Sequence, residues 1–445
     1  GFAVAALMSA VFGAFPNFIL PNIPVAGGSV RPEDIGIFVF LLILLMRHAG
    51  TLGSRLRILK PYIAPLCALL VMVLVSTIYS FFIGKVPAKD ILNEARAYYV
   101  WLIFPLFPLA IDSAERMRRF SRLLVALALF LAVGGMFQAM TGIHIFQRDQ
   151  LMSLTTVDET FGGIARSASP GLVFMAAVFM YICAAYTMRP KPSVAGSFLV
   201  GVILLGGIVV SFTRSLWISV LVGLILLAFY ARQSRYMMMV GALLISGYAA
   251  LSTVAIVNPT YVEAVTSRLL TINDEIKEGT SFGRRKIELN YAIPKVLDSP
   301  LIGVGLGGKY KPHTLDAFGW EGETRYIHNL YAAVATKMGI PGLVALLWLV
   351  AIMLWRSWRM VRGREGDPPV VFACWWVLLT STILTTATQP VLASSFGIGT
   401  AALALFMMEW RPEAAGAGVG RVTPFVSRMT EFRSATGFDY NKSKV

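Results

Sequence analysis

Apolar residues along this chain fall in runs long enough to cross a bilayer, which requires about 20 residues per helix. They predict twelve transmembrane spans, of which the second and the fourth are short. The runs cover residues 1–20, 34–46, 62–84, 97–112, 120–142, 168–188, 194–212, 215–231, 236–257, 329–355, 369–388 and 391–409. The first is interpreted as a retained span, because no small-residue cleavage site follows a basic head.

This pattern predicts an all-α integral membrane protein with four regions. Residues 1–257 hold the first nine spans, 258–328 form a long polar loop, 329–409 hold the last three spans, and 410–445 form a basic tail. Composition agrees, because only 14% of the residues are charged and 56% are hydrophobic. A soluble domain is about a quarter charged. The three cysteines lie within apolar runs and predict neither a disulfide framework nor a metal site.

The basic residues are concentrated on one side of the predicted bilayer. If residues 47–60 are cytoplasmic, strict alternation places 22 of the 39 Lys and Arg and 8 of the 24 acidic residues on that side, giving +14 of the total +15. The positive-inside rule then predicts cytoplasmic termini and an external loop 258–328, periplasmic if the membrane is a bacterial inner membrane. Topology and anionic lipids account for the basic loops, so nucleic-acid binding is not predicted.

The predicted external loops contain a set of cations. They include Arg166, Arg214, Arg268, Arg284, Arg285 and Lys286. Arginine suits phosphate, because its planar guanidinium donates paired hydrogen bonds and keeps its charge. Arg214 lies between two closely spaced spans and is therefore expected at the membrane surface. A diphosphate on a lipid carrier fits such a cluster; alternatively, these arginines anchor to anionic headgroups or pair with Glu288 and Asp298.

His328 is the candidate for acid–base chemistry. It is one of four histidines, and with Asn329 it forms the polar start of an otherwise apolar span. An imidazole can take a proton from a hydroxyl; the alternative is a helix cap or anchor. His313 lies in the same loop without a supporting pattern, and His48 and His144 are interpreted as structural.

Gly303–Gly308 matches the pattern G-x-G-x-x-G, but it lacks a surrounding strand–turn–helix unit, so a dinucleotide site is not predicted. Its glycines are expected to allow a tight turn or a close backbone approach. No metal site is predicted. The alternative is a metal site at Glu33 and Asp34, near the first outer loop, because a metal-dependent membrane glycosyltransferase would have acidic residues in that loop.

Several of these segments together resemble the signature of the O-antigen ligase and O-antigen polymerase superfamily, a Wzy_C-type membrane protein family. They are Gly283-Arg284-Arg285, Asp298-Ser299-Pro300-Leu301-Ile302-Gly303-Val304-Gly305, His328-Asn329-Leu330-Tyr331 and Gly339-Ile340-Pro341-Gly342. Arg214, before Ser215-Leu216-Trp217, is similar to the family's arginine in the preceding outer hairpin. Relatives often have an aromatic residue after the loop arginine, where this chain has Leu289-Asn290-Tyr291, so either Arg284 or Arg285 is the equivalent.

The resemblance implies a membrane glycosyltransferase of GT-C-type architecture. The donor would be a glycan on undecaprenyl diphosphate, and no metal or nucleotide cofactor would be needed. Arg214 and Arg284 or Arg285 would bind the diphosphate, with Arg166 as a further candidate, and His328 would be the base.

The identity of the acceptor stays open. Ligation of O-antigen to lipid A–core in lipopolysaccharide assembly is the favoured interpretation, and polymerisation of a growing glycan is the alternative. A transporter of lipid-linked glycans is a further alternative. It would need charged or broken helices near the bilayer midplane, often in repeated halves, and the sequence shows few such charges and no visible repeat.

Overall fold

The computed structural model describes residues 2–411 with gaps. The gaps are 13–22, 26–27, 144, 147–149, 156–159, 169–170, 191–192, 271–280, 313–324 and 386–389, and only scattered positions are described between 232 and 258. His144, His313 and the tail 412–445 therefore lie outside the described residues.

The described residues are predominantly helical. The helices are α1 (Phe2–Val11), α2 (Pro32–Arg47), α3 (Leu52–Arg55), α4 (Lys60–Phe82), α5 (Ala88–Tyr99), α6 (Ile103–Ala110), α7 (Ala114–Thr141), α8 (Leu172–Met188), α9 (Val194–Val209), α10 (Arg214–Ala231), α11 (Pro259–Leu270), α12 (Ser281–Asp298), α13 (Leu330–Gly363), α14 (Pro368–Leu379) and α15 (Ser395–Glu409). Short 3-10 turns lie at Ala49–Thr51, Leu56–Leu59, Val100–Leu102 and Val391–Ala393, and a π-helical turn, Thr380–Leu384, continues α14.

Two small antiparallel hairpins accompany the helices. Strand β1 (Ile23–Val25) pairs with β2 (Gly28–Val30), and β3 (Gln150–Thr155) pairs with β4 (Thr160–Ala168). The predicted helical class is confirmed, but these hairpins were not predicted. They are short and lie between the apolar runs, where the search for bilayer-length segments carries no information.

Four helical stretches in the described part of the chain are long and apolar enough to cross a membrane. They are Ala49–Phe82, Ala114–Thr141, Arg214–Ala231 and Leu330–Gly363, and α8, α9, α14 with its π-turn, and α15 are shorter apolar helices. The bilayer core offers no hydrogen-bond partners, so a spanning segment must satisfy its own backbone N–H and C=O groups, and a helix does this. The chain is a multi-pass membrane protein, and the count of twelve spans stays a prediction.

The described helices overlap the predicted spans, apart from 236–257, which lies largely outside the described residues, but several bounds differ. Helix α13 continues to Gly363, beyond the predicted end at 355. Helices α5 and α11 were not predicted, because both are too polar to register as spans. Helix α12 lies inside the predicted polar loop 258–328.

Helices α4 and α13 pack antiparallel and define the two ends of the bundle. At one end, Arg356 forms a paired contact with Glu409 (2.7 and 2.9 Å), and the Tyr62 hydroxyl donates to the same carboxylate (2.7 Å). Towards the other end, the Ser76 hydroxyl donates to the Lys337 carbonyl oxygen (2.8 Å). We call this second end the loop end, because α12 and the turn at residues 299–308 pack there.

Helix α13 is broken at the loop end. Gly339 has φ 70° and ψ −174°, which interrupts the helix, and Pro341 follows. The Ile340 amide donates to the Pro300 carbonyl oxygen (2.7 Å) instead of to its own helix. The break therefore opens α13 to the loop segment that precedes it in sequence.

Candidate active site at the loop end

The centre of the candidate site is a contact between His328 and Glu288. The imidazole Nδ1 lies 2.8 Å from Glu288 Oε1 and 3.1 Å from Oε2. The backbone N–H of His328 donates to Oε2 (2.9 Å). Glu288 is on α12, and its side chain is 9% exposed, whereas that of His328 is 36% exposed. The carboxylate thus holds both the ring and the main chain of His328.

The surroundings of His328 fix its place at the start of α13. Asn329 caps that helix, because its side-chain oxygen accepts from the Ala332 amide (3.0 Å). The ring of Tyr326 meets the imidazole edge-on, with centroids 4.8 Å apart. Arg325 forms an ion pair with Asp90 on α5 (2.8 Å). The segment that carries His328 is therefore tied to α12 on one side and to α5 on the other.

The glycine-rich turn next to this segment is a packing element. Gly303, Gly305 and Gly307 have φ values of 71°, 82° and 74°, which side-chain-bearing residues rarely adopt. The Val304 amide donates to the Thr336 carbonyl oxygen (2.8 Å), and a β-carbon at Gly303 would overlap that oxygen. The expected close backbone approach is confirmed, and the turn fills the opening at the α13 break.

An ion pair between a buried lysine and a half-buried glutamate fastens the same turn to two helices. Lys337 Nζ on α13 lies 2.8 Å from Glu94 Oε1 on α5, and it donates to the Gly308 carbonyl oxygen (2.6 Å). The other Glu94 oxygen accepts from the Gly307 amide (2.7 Å). Ser76 of α4 joins this network, because its hydroxyl accepts from the Leu306 amide (3.0 Å).

Arg284 and Arg285 lie on the helix that supplies Glu288. They precede it by four and three residues, which is about one helical turn. Arg285 is half-buried, and the side chain of Arg284 lies outside the described atoms. Helix α12 therefore carries both loop arginines and the partner of His328.

Arg214 begins α10 directly after a tight hairpin. Phe212 in that turn has φ 48°, and the Ser211 hydroxyl donates to the Ile208 carbonyl oxygen (2.7 Å). The turn is covered by α11, because the Phe212 ring packs on Tyr261 with centroids 5.5 Å apart. Burial raises the pKa of the Tyr261 hydroxyl. The predicted hairpin position of Arg214 is confirmed, but a loop helix covers the turn.

Helix packing places Arg214 at the same end as His328. Trp376 Nε1 of α14 donates to the Ser219 carbonyl oxygen of the antiparallel α10 (3.0 Å). Thr382 is six residues after Trp376, and Arg214 is five residues before Ser219. Because the two helices are antiparallel, Thr382 lies level with the start of α10. The hydroxyl of Tyr331, three residues after His328, donates to the Thr382 carbonyl oxygen (2.7 Å). The π-turn that contains Thr382 thus connects the Arg214 hairpin to the start of α13.

Arg166 lies on β4, opposite Met152 of β3, and its side chain is outside the described atoms. Strand β4 packs against α7 and α11. Because α11 also covers the Arg214 hairpin, the backbone at 166 belongs to the same end of the molecule.

The acidic alternative near the first outer loop is engaged in structural contacts. Asp34 pairs with Arg96 (2.8 Å) and accepts from the Arg31 amide (3.0 Å). The described residues contain no group of three or more His, Cys, Asp or Glu placed to hold a metal ion. The two acidic residues considered as partners of the loop arginines are also engaged in contacts. Asp298 pairs with Lys295 (3.5 Å), and Glu288 binds His328.

Sequence reasoning missed the residues that hold the site together. Glu288 entered only as a possible arginine partner, and Asp90, Glu94 and Lys337 were not singled out. Asp90 and Glu94 are four residues apart on α5, and this spacing is the one signal that could have marked a functional helix face.

The fold and the site together define a multi-pass membrane protein with a polar site, containing histidine and arginine, at one end of its helices. Residues 199–347 match the family model described as O-antigen ligase. The match spans Arg214, α12, the glycine-rich turn, His328 and the α13 break, and it confirms the predicted resemblance to the O-antigen ligase superfamily. No curated protein matches the chain.

Proposed function

We propose that this protein is a membrane glycosyltransferase that moves a glycan from undecaprenyl diphosphate to an acceptor hydroxyl. The observation that carries the proposal is the bidentate Glu288–His328 contact, on the helix that also carries Arg284 and Arg285. The family match over the same segment supports a glycan substrate.

The proposed reaction exchanges one C–O bond for another. The bond between the anomeric carbon and the diphosphate breaks, and its electron pair leaves with the diphosphate. The acceptor oxygen forms the new bond to the anomeric carbon, and its proton passes to Nε2 of His328. A positioned base of this kind contributes about 10²–10⁴-fold to a rate.

Arg214 and one of Arg284 and Arg285 bind the diphosphate in this proposal. Negative charge builds on the leaving group as the C–O bond breaks, and preformed donors stabilise it without reorganisation. Paired guanidinium donors suit phosphate oxygens. These cations supply the charge that a metal ion provides in other transferases, so the rate should persist in EDTA.

The membrane setting follows from the same proposal. We expect about twelve spans in a GT-C-type arrangement in a bacterial inner membrane, with cytoplasmic termini and a periplasmic site. The charge distribution supports this orientation, because the opposite one would reverse the positive-inside rule. A lipid-borne donor then reaches the loop end from the outer leaflet.

The test measures donor binding and transfer separately on purified protein with undecaprenyl-diphosphate-linked glycan. His328→Ala should fold and bind donor normally, because the arginines provide that affinity, but should lose transfer by about 10²–10⁴-fold. If the variant loses donor binding but keeps its maximal rate at saturating donor, His328 is a binding residue and the base lies elsewhere.

Ligation to lipid A–core is the proposed biological reaction, and polymerisation is its alternative. A deletion strain distinguishes them by its lipopolysaccharide. Loss of a ligase leaves bare lipid A–core while long lipid-linked glycan accumulates. Loss of a polymerase leaves core carrying single repeat units.

A further inference from the structure

We infer that Glu288 is the residue that positions His328 for proton transfer, an inference that rests on the proposed function. Both carboxylate oxygens are used on the same residue: Oε1 faces the imidazole Nδ1 at 2.8 Å, and Oε2 accepts from the His328 backbone at 2.9 Å. A single bond would let the ring turn about its side-chain torsions. Two bonds to different parts of His328 fix the ring relative to its own main chain.

The contact also decides which ring nitrogen can accept a proton. A carboxylate offers only acceptors, so Nδ1 carries the proton that it shares with Glu288. In the neutral imidazole, Nε2 then has the free lone pair. The edge-on Tyr326 ring, 4.8 Å away, restricts ring rotation further. Glu288 thereby selects Nε2 as the base.

Glu288 is well placed to hold this geometry because its own helix is anchored. One turn further along α12, Ala292 is buried in a cluster with Tyr310 and Ile327. The Tyr310 hydroxyl donates to the Tyr326 carbonyl oxygen (3.1 Å), two residues before His328. The helix and the histidine segment are therefore joined at two points, and a side chain held by such packing keeps a partner in orientation better than a loop residue.

Helix α12 also links the proposed base to the arginines that are proposed to bind the donor diphosphate. Arg284 and Arg285 are one turn before Glu288, so a rigid α12 fixes the distance between the diphosphate and the base. Donor binding that orders this helix also orders His328. Glu288 touches neither the donor nor the acceptor in this scheme, so its effect is on turnover and not on affinity.

Glu288→Gln is the sharpest test, because it changes the hydrogen-bond pattern at nearly constant volume. The amide keeps one acceptor oxygen and replaces the other oxygen by an NH2 donor, so in this geometry the NH2 group faces either the backbone N–H or Nδ1 of His328. If the amide nitrogen faces Nδ1, the ring must place its proton on Nε2 and loses its free base. Glu263→Gln is the matched control, because Glu263 is an exposed glutamate on α11.

The full-length variants would be purified in nanodiscs, with undecaprenyl diphosphate as the binding probe and undecaprenyl-diphosphate-linked glycan as the donor. We expect Glu288→Gln to lower kcat about 10–100-fold, by analogy with residues that orient metal-binding histidines. Affinity for undecaprenyl diphosphate should stay unchanged, and Glu263→Gln should match the parent protein. In the double variant with His328→Ala, kcat should equal that of His328→Ala alone, because Glu288 acts only through His328.

Each other outcome has a defined meaning. Normal turnover of Glu288→Gln beside an inactive His328→Ala overturns the positioning role and leaves the proposed function intact. An active His328→Ala overturns the proposed base itself. Losses that add in the double variant, or weaker binding of undecaprenyl diphosphate, also overturn the positioning role. If Glu288→Gln does not fold, Glu288→Asp replaces it, since it keeps the charge but reaches about 1.5 Å less; an unchanged kcat in that variant overturns the inference.

Discussion

Lys337 Nζ lies 2.8 Å from Glu94 Oε1, and this pair joins two helices and the glycine-rich turn in one buried network. The Lys337 side chain is 6% exposed and that of Glu94 is 27% exposed. An ammonium group so far from water needs both its carboxylate partner and the Gly308 carbonyl oxygen. The pair thus holds the turn against the α13 break at Gly339, eleven residues after His328.

Removing the charge of Lys337 should therefore destabilise the loop end. Breaking a fully buried pair costs about 3–5 kcal/mol, and we expect about 2–3 kcal/mol for Lys337→Met because Glu94 keeps some contact with solvent. The measurement is chemical unfolding of the purified protein in detergent. Lys337→Met with Glu94→Gln should recover part of the loss, because no unpaired carboxylate remains; a double variant as unstable as the sum of both single variants would contradict this explanation.

A methyl group at Gly303 should disrupt the same turn. The β-carbon would overlap the Thr336 carbonyl oxygen, and the φ of 71° adds roughly 1–2 kcal/mol of backbone strain. Gly303→Ala should lower the thermal midpoint and the transfer rate together. Gly53→Ala is the control, because a β-carbon there meets nothing within 4 Å. Equal midpoints for the two variants would show that the turn tolerates a side chain.

Arg214 should be required for donor binding. Arg214→Ala should abolish transfer, and Arg214→Lys should restore it only in part, because lysine keeps the charge but not the paired donors. One of Arg284 and Arg285 should behave in the same way, and the other should tolerate alanine. The control is Arg359→Ala, an exposed arginine near the opposite end of α13. Near-normal transfer by purified Arg214→Ala at matched expression would remove this hairpin from the donor site.

Topology can be tested with single cysteines in place of Glu275 and Arg362. We expect them to label on opposite sides of the membrane with an impermeant thiol reagent, because the charge distribution makes 258–328 external and 356–367 cytoplasmic. Cys67 must be replaced first, because it is exposed, whereas Cys183 and Cys374 are buried. Labelling of both introduced cysteines from outside would refute the twelve-span topology.

The sequence by itself determined the class of protein and the segment that matches the family model. Bilayer-length apolar runs are local, so they predicted the positions of most of the described apolar helices without knowledge of packing. The motifs from Gly283 to Gly342 likewise identified the family that was then matched, and the hairpin at Arg214 follows from the short distance between two runs.

Only the tertiary structure decided how the site is held together. Glu288 is 40 residues from His328 in sequence, and Glu94 is 243 residues from Lys337. Neither pair follows from a helical or strand period, because each depends on how separate helices pack. Helices α5 and α11 were missed because they are polar, and a polar helix is stabilised by its tertiary contacts and not by its own hydropathy. Helix α5 contacts the Arg325 segment, and α11 contacts the Arg214 hairpin.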